Sequence, residues 1–218
     1  TSSSSLYADN QVAILPQVDT TVVNMSDLQI SFYAKRSSSY VNKLYVGIMS
    51  DTNVLASFNM FDSGDLQTTY TFHEILFDQY DGFGSFVALR LDKGTTSRYA
   101  YVDNLTLELI PSCRRPDSLV ASNVSATSVQ LGWNENNSAS QWVVEYGPEG
   151  FVPGYGTALA VNTNPVVITS LTPATIYDAY VKSICTIGDT SDYCRIPASF
   201  STSQIPANVP YVYDFENP

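Results

Sequence analysis

The side chains able to do chemistry in this 218-residue chain are few and scattered. The one histidine, His73, lies inside the strand-like stretch 69–77 with no serine or cysteine partner in a nucleophile motif. It is expected on a strand surface. Paired carboxylates can hydrolyse glycosides, but Asp62, Asp65, Asp78 and Asp81 stand in turn-like sequence. No glycine loop that cradles phosphate occurs, so no residue is assigned as catalytic and the chain reads as a non-enzyme. Of the three cysteines, Cys113, Cys185 and Cys194, an odd number cannot all pair within the chain. There is no CxxC motif, and a single histidine makes a Cys/His zinc site a poor fit. One disulfide with one thiol left over is the simplest account, and it suits an oxidising compartment.

A different chemistry is open to the aromatic residues. Tyr80, Phe83, Tyr99 and Tyr101 fall near predicted loops or strand ends, beside the polar Asp81 and Arg98. Such rings stack on sugar faces, so Tyr80, Phe83, Arg98 and Tyr99 form the candidate ligand-binding set. The competing reading is that alternate rings pack a core, the default for aromatics in strands.

The elements that must position these residues are short strands. Leu28, Ile30 and Phe32 alternate on one face, as do Leu44, Val46 and Ile48, and further candidates cover 12–15, 54–60, 69–77, 85–91 and 99–109. Turn signals separate them, at 37–39, 50–53, 62–65, 81–82 and 93–94. After the boundary Ile110-Pro-Ser-Cys-Arg-Arg-Pro116 a second strand series starts: Val129, Leu131 and Trp133, then Trp142, Val144 and Tyr146, then 166–169, 176–184 and 198–202. Many short strands without helical periodicity predict an all-β protein of two β-sandwiches. The expected division is 1–111, 112–203 and a linker with an opening strand at 204–218. Thr1 is not an initiator methionine and the chain stops soon after Glu216, so a piece of a longer protein is expected. The net charge is −11, with 10 basic and 21 acidic residues and no Lys/Arg cluster, which argues against a nucleic-acid partner. No apolar run is long enough for membrane insertion as a helix.

The second segment resembles a fibronectin type III domain. Trp133 stands in the place of the core tryptophan, and Leu171-Thr-Pro-Ala-Thr-Ile-Tyr177 is similar to the signature before the sixth strand, whose tyrosine bonds back to nearby backbone. The flanking Cys113-Arg-Arg-Pro116, Val181-Lys-Ser-Ile-Cys185 and Gly188-Asp-Thr-Ser191 resemble type III repeats of large Bacteroidota secreted surface and adhesin proteins. There, such repeats alternate with jelly rolls of the MAM and cleaved-adhesin kind. Ala13-Ile-Leu-Pro16, Leu28–Tyr33, Val46–Asp51, Tyr80–Gly84 and Tyr101-Val-Asp-Asn104 resemble successive blocks of such a jelly roll.

Several expectations follow from the resemblance. The jelly roll normally opens with a segment like Pro210–Glu216, so the first domain is expected to be partial, without its first strands. Tyr211, Tyr213 and Phe215 would then form a donor strand for a neighbouring copy or an adjacent domain, and head-to-tail donation would build a filament. Related jelly rolls hold structural calcium through residues matching Asp103 and Glu216, while the plainer role for Asp103 is to cap a loop. The type III topology brings Cys113 near Cys185, with Cys185–Cys194 as the rival pairing. The implied function is adhesion or surface assembly outside the cell, with neighbouring copies, glycans or host surface proteins as partners. The alternative is an ancillary carbohydrate-binding or spacer region of a larger secreted hydrolase or protease.

Overall fold

The computed structural model describes residues 4–7, 12–37, 43–91 and 99–206, and the chain divides between Ile110 and Pro111 into two compact units. Each is an antiparallel β-sandwich, so the chain is all-β.

The described residues of unit 1 form eight strands: β1 (Ser4–Tyr7), β2 (Val12–Ile14), β3 (Leu28–Arg36), β4 (Lys43–Met49), β5 (Asn59–Asp65), β6 (Thr71–Leu76), β7 (Phe86–Leu91) and β8 (Tyr99–Leu109). They form two four-stranded sheets, β1-β8-β3-β6 and β2-β7-β4-β5. Eight strands interleaved in this way make up both sheets of a jelly roll. β1 and β2 each supply an edge strand, one to each sheet. At one edge Ser4–Tyr7 pairs Val102–Tyr99, since backbone pairing along an edge makes little demand on side chains. The tail residues Tyr211, Tyr213, Phe215 and Glu216 lie outside the described residues.

Alternation builds the core of unit 1. Ile30, Phe32 and Ala34 of β3 face Leu44, Val46 and Ile48 of β4, with Val87, Leu89 and Leu91 of β7 and Phe77 beyond β6, all nearly or wholly buried. On β8 the inward set changes phase, from Ala100 and Val102 to Leu105 and Leu107. A bulge opposite Ser31–Tyr33 inserts the extra residue, and Asn104 there has a φ of 51°. Asn tolerates the left-handed region better than most residues, and the Asp103 carboxylate accepts the Asn104 N–H at 2.8 Å. The stretch Asp62–Asp65, read as a turn, instead completes β5. A register shift opposite Val46/Gly47 absorbs its irregular pattern.

Unit 2 comprises β9 (Asp117–Ser122), β10 (Ser128–Asn134), β11 (Gln141–Pro148), β12 (Thr157–Val161), β13 (Val166–Thr169), β14 (Ile176–Thr186), the two-residue β15 (Asp189–Thr190) and β16 (Ala198–Ser201). One sheet runs β13-β10-β9; the other runs β12-β11-β14, with β15 and β16 both pairing β14. Val129, Leu131 and Trp133 meet Trp142, Val144, Tyr177, Val181 and Phe200 between the sheets. The two tryptophan rings touch edge to face at 5.3 Å between centroids. Tyr177 is the corner residue, its hydroxyl accepting the Thr172 N–H at 3.0 Å.

Candidate functional site

In unit 1 the loop after β6 is built around one anchored ring. Phe77, wholly buried, donates its N–H to the Leu28 carbonyl, and Tyr80 N–H turns back to the Phe77 carbonyl. The Tyr80 ring lies edge-on to Phe61, and its hydroxyl accepts the Gly84 N–H at 2.7 Å. Gly84 has no room for a side chain: a Cβ there would stand 2.6 Å from Ile48 Cγ2 and 2.8 Å from the Met49 carbonyl. The loop is thus tied down on both sides of Phe83, whose ring remains 100% exposed.

Phe83 stands at a cleft of about 300 Å³ lined by Thr20, Asn24, Ser26, Asp81 and the glycines beside it. The opposite wall is held locally. Thr21 gives both its N–H and its hydroxyl to Asp19 Oδ1, and these hydrogen bonds hold that carboxyl below its ordinary range. Asn24 donates to Asp27 Oδ2 at 2.9 Å. The cleft therefore offers hydroxyl, amide and carboxylate groups next to an open ring.

The structure brings Tyr80 and Phe83 into one loop but separates them from Tyr99. Tyr80 follows the Leu28 end of β3, whereas Tyr99 adjoins its other end, with its carbonyl accepting the Ser37 N–H. Nine residues of strand put these ends about 26 Å apart. Arg98 lies outside the described residues. The four-residue set is therefore not a single site: Tyr80 packs and Phe83 is presented. Tyr101, also weighed in sequence, takes the Lys35 ammonium over its ring at 5.5 Å.

Asp103 sits at the β8 bulge with its carboxylate turned to the backbone N–H of Asn104, and its suggested partner Glu216 lies outside the described residues. Among the described residues no group of three or more His, Cys, Asp or Glu side chains is arranged to hold a metal ion.

His73 was expected on a strand surface. It faces the sandwich interior, stacked on Phe32 at 5.2 Å between centroids, with its Nε2 3.0 Å from Thr71 Oγ1. Burial lowers its pKa and outweighs the opposing pull of Asp62.

In unit 2 several polar groups are used internally. Cys113 and Cys185 are joined, with Cα atoms 5.7 Å apart, and Cys194 is a buried free thiol whose pKa burial pushes up. Beside the disulfide, Glu135 accepts from Asn137 through one oxygen and from Trp142 Nε1 and Ser183 Oγ through the other. Asn137 in turn brackets Arg114, accepting its N–H at 2.8 Å and donating to its carbonyl at 2.6 Å. Asn136 donates to the Arg115 carbonyl and to Asp117, and its hydrogen bond leads the causes that hold the Asp117 carboxyl low. The start of unit 2 is clasped covalently and by hydrogen bonds.

Glu145, a residue sequence reasoning passed over, is 2% exposed on β11. The segment 149–156 folds back over it, with Phe151 against Tyr180 at 5.4 Å. A Cβ at Gly156 would stand 2.5 Å from the Phe151 ring. The carboxylate accepts the Gly154 and Gly156 N–H groups and the Tyr193 hydroxyl. Burial pushes its pKa up, but Tyr193, those amides and Lys182 together bring it below the ordinary value. Burial and Glu145 raise Tyr193 correspondingly. The signal available in sequence was the run of glycines at 147, 150, 154 and 156 just after a lone acid in an apolar strand.

No family model matches the chain, and no curated protein matches it. Among solved structures, a fibronectin type III domain of human collagen alpha-1(XX) is 20% identical, covering 47% of this chain and 97% of that one, with a TM-score of 0.39. The FN5 domain of Drosophila Lar is 19% identical over 42% of this chain and 97% of that one, TM-score 0.35. A structure described as a myokine is 18% identical over 43% of this chain and 100% of that one, TM-score 0.37. The structural neighbours of this all-β chain are thus fibronectin type III domains.

Proposed function

We propose that the chain is a non-catalytic adhesion module of a protein working outside the cell, in which unit 1 carries the recognition cleft and unit 2 is a tied spacer. The observation that carries this reading is Phe83. A phenyl ring left wholly in water, in a loop whose neighbours are pinned, and beside hydroxyl, amide and carboxylate groups, is prearranged for a ligand with both an apolar face and hydroxyls. Saccharides fit that description. Hydroxyls bond the polar wall and the C–H face of a sugar covers the ring. The disulfide supports an oxidising location. The resemblance to Bacteroidota surface proteins supports an adhesin setting.

A broad glycan array probed with the whole chain and with Phe83→Ala tests this reading. Hits on the wild-type chain that the variant loses are the expected result. An array on which the wild-type chain gives no hits, or hits that survive in the variant, would count against saccharide recognition at the cleft.

A further inference from the structure

Unit 2 is fastened where the chain enters and where it leaves. At the entrance, Ile110 N–H is bonded to the Asp27 carbonyl of unit 1, and Cys113 is covalently bound within unit 2. Only Pro111 and Ser112 lie between these two anchored residues, so pulling takes up almost no slack. At the exit, Thr202 is 3% exposed and stapled to the turn before β14. Its N–H goes to the Thr175 carbonyl, its hydroxyl donates to the Thr172 carbonyl at 2.7 Å, and it accepts the Thr175 N–H at 2.9 Å. Ser203 adds a bond to the Ser125 carbonyl and accepts the Ala174 N–H.

Between entrance and exit, the covalent path does not follow the whole chain. The disulfide joins residues 72 positions apart, from the segment before β9 to the end of β14. Tension arriving at Cys113 crosses directly to Cys185, so β9 through β13 hang in a closed loop outside the covalent path, and β14 bears load only through its pairing with the segment that follows it. Between Cys113 and Ser203, residues 186–203 are the part that remains in series with the pull.

That remaining segment is stitched along β14. Thr190 pairs Ile184, Ser191 N–H bonds the Ser183 carbonyl, and Cys194 N–H bonds the Val181 carbonyl. β16 then pairs Ala198 with Ala179 and Ser201 with Ile176, and Phe200 stacks on Tyr177 at 5.7 Å. β14 is held near its C-terminal end at Cys185, and β16 is pulled at its C-terminal end at Thr202. In an antiparallel pair those ends point in opposite directions, so the strands are loaded in shear. Their hydrogen bonds and the buried Phe200 must yield together rather than one at a time.

We propose that unit 2 is a tension-limiting link, one in which the Cys113–Cys185 bond removes most of the domain from the covalent path of force and leaves, between Cys113 and Ser203, a short sheared segment to extend. The mechanics stand on this connectivity alone. The adhesion reading supplies only the source of tension, so loss of glycan binding would leave this proposal intact.

The test is single-molecule stretching of the whole chain held by handles at its two ends, with and without a thiol reductant. With the disulfide closed, unit 2 should release about 65 Å of contour length, the span from Cys185 to Ser203 at about 3.6 Å per residue. After reduction it should release about 320 Å, the span from Cys113 to Ser203. The fully extended chain should lengthen by about 260 Å on reduction. That readout holds even if the paired variant Cys113→Ser/Cys185→Ser fails to fold. Thr202→Val should lower the force of the short step and leave its length unchanged. A long unit 2 step before reduction, an unchanged extended length after it, or a short step indifferent to Thr202→Val would overturn the proposal.

Discussion

Two loops, one in each unit, use the same parts to opposite ends. After β6, Tyr80 is seated by Gly84, and after β11, Phe151 is seated by Gly156. In unit 2 the loop is drawn down onto its sheet by the carboxylate of Glu145, which takes the Gly154 and Gly156 amides. In unit 1 no such acid lies beneath the loop among the described residues, and the polar groups around the loop line a cleft instead. Each loop leaves one ring in water, Phe83 at 100% and Tyr155 at 87% exposure. Of the two, Phe83 is the one that lines the cleft. The wider contrast runs the same way. Unit 1 is held by the apolar packing of two sheets, whereas unit 2 adds a disulfide, a clasp at Glu135–Asn137 and a staple at Thr202. Polar chemistry turned inward makes a tie, and the same chemistry left at the surface makes a site.

The sharpest way to break this contrast is to damage one unit and watch the other. Phe77→Ala should cost unit 1 about 4 kcal/mol through the cavity it leaves. In denaturant unfolding followed by unit-specific probes, the unit 2 transition should stay in place. The reverse experiment removes the tie. Cys113→Ser/Cys185→Ser should lower unit 2 by about 3 kcal/mol, read by calorimetry, with unit 1 unaffected.

A smaller effect is expected at Glu145. Glu145→Gln should cost about 2 kcal/mol, because buried amides and the Tyr193 hydroxyl lose a charged acceptor. Its folded-state pKa lies below the ordinary 4.5, so its contribution is complete above that value and is lost as pH falls through the folded pKa. Acid unfolding of unit 2 should therefore become less steep in the variant. His73 should act in unit 1 with a lesser effect. Burial favours its neutral form, so stability should decline as pH falls from the ordinary 6.5 towards its lower folded value, and His73→Gln should flatten that slope in a pH series of melting curves. The smallest change in stability belongs to Phe83→Ala, within about 0.5 kcal/mol, since the ring touches little. Its effect should appear in ligand binding alone.

The parts legible in the sequence were those where one residue type has one use. Alternation at Leu28–Phe32 and Leu44–Ile48 marks strands because only one face can be buried. Tyr177 within Leu171–Tyr177 marks a corner because its hydroxyl must find backbone. Strand β8 forms over the range read from pattern, 99–109, yet its bulge was hidden, because a phase change looks like noise in a single strand. Glu145 and His73 escaped for a shared reason. Each occupies a position that alternation or charge assigns to water, and tertiary neighbours, a folded-over loop in one case and Phe32 with Asp62 in the other, take the place of water. Tyr80 and Tyr99 were grouped by type and by apparent loop position. The length of β3 between them is a fact of pairing that residue type does not carry.

The central contrast, a unit held by its core beside a unit held by its ties, is tested most directly by amide hydrogen exchange on the whole chain before and after disulfide reduction. On reduction, protection should fall through β9–β14 while amides of β3, β4, β7 and β8 keep theirs. Equal loss in both units, or undiminished protection in unit 2, would contradict it.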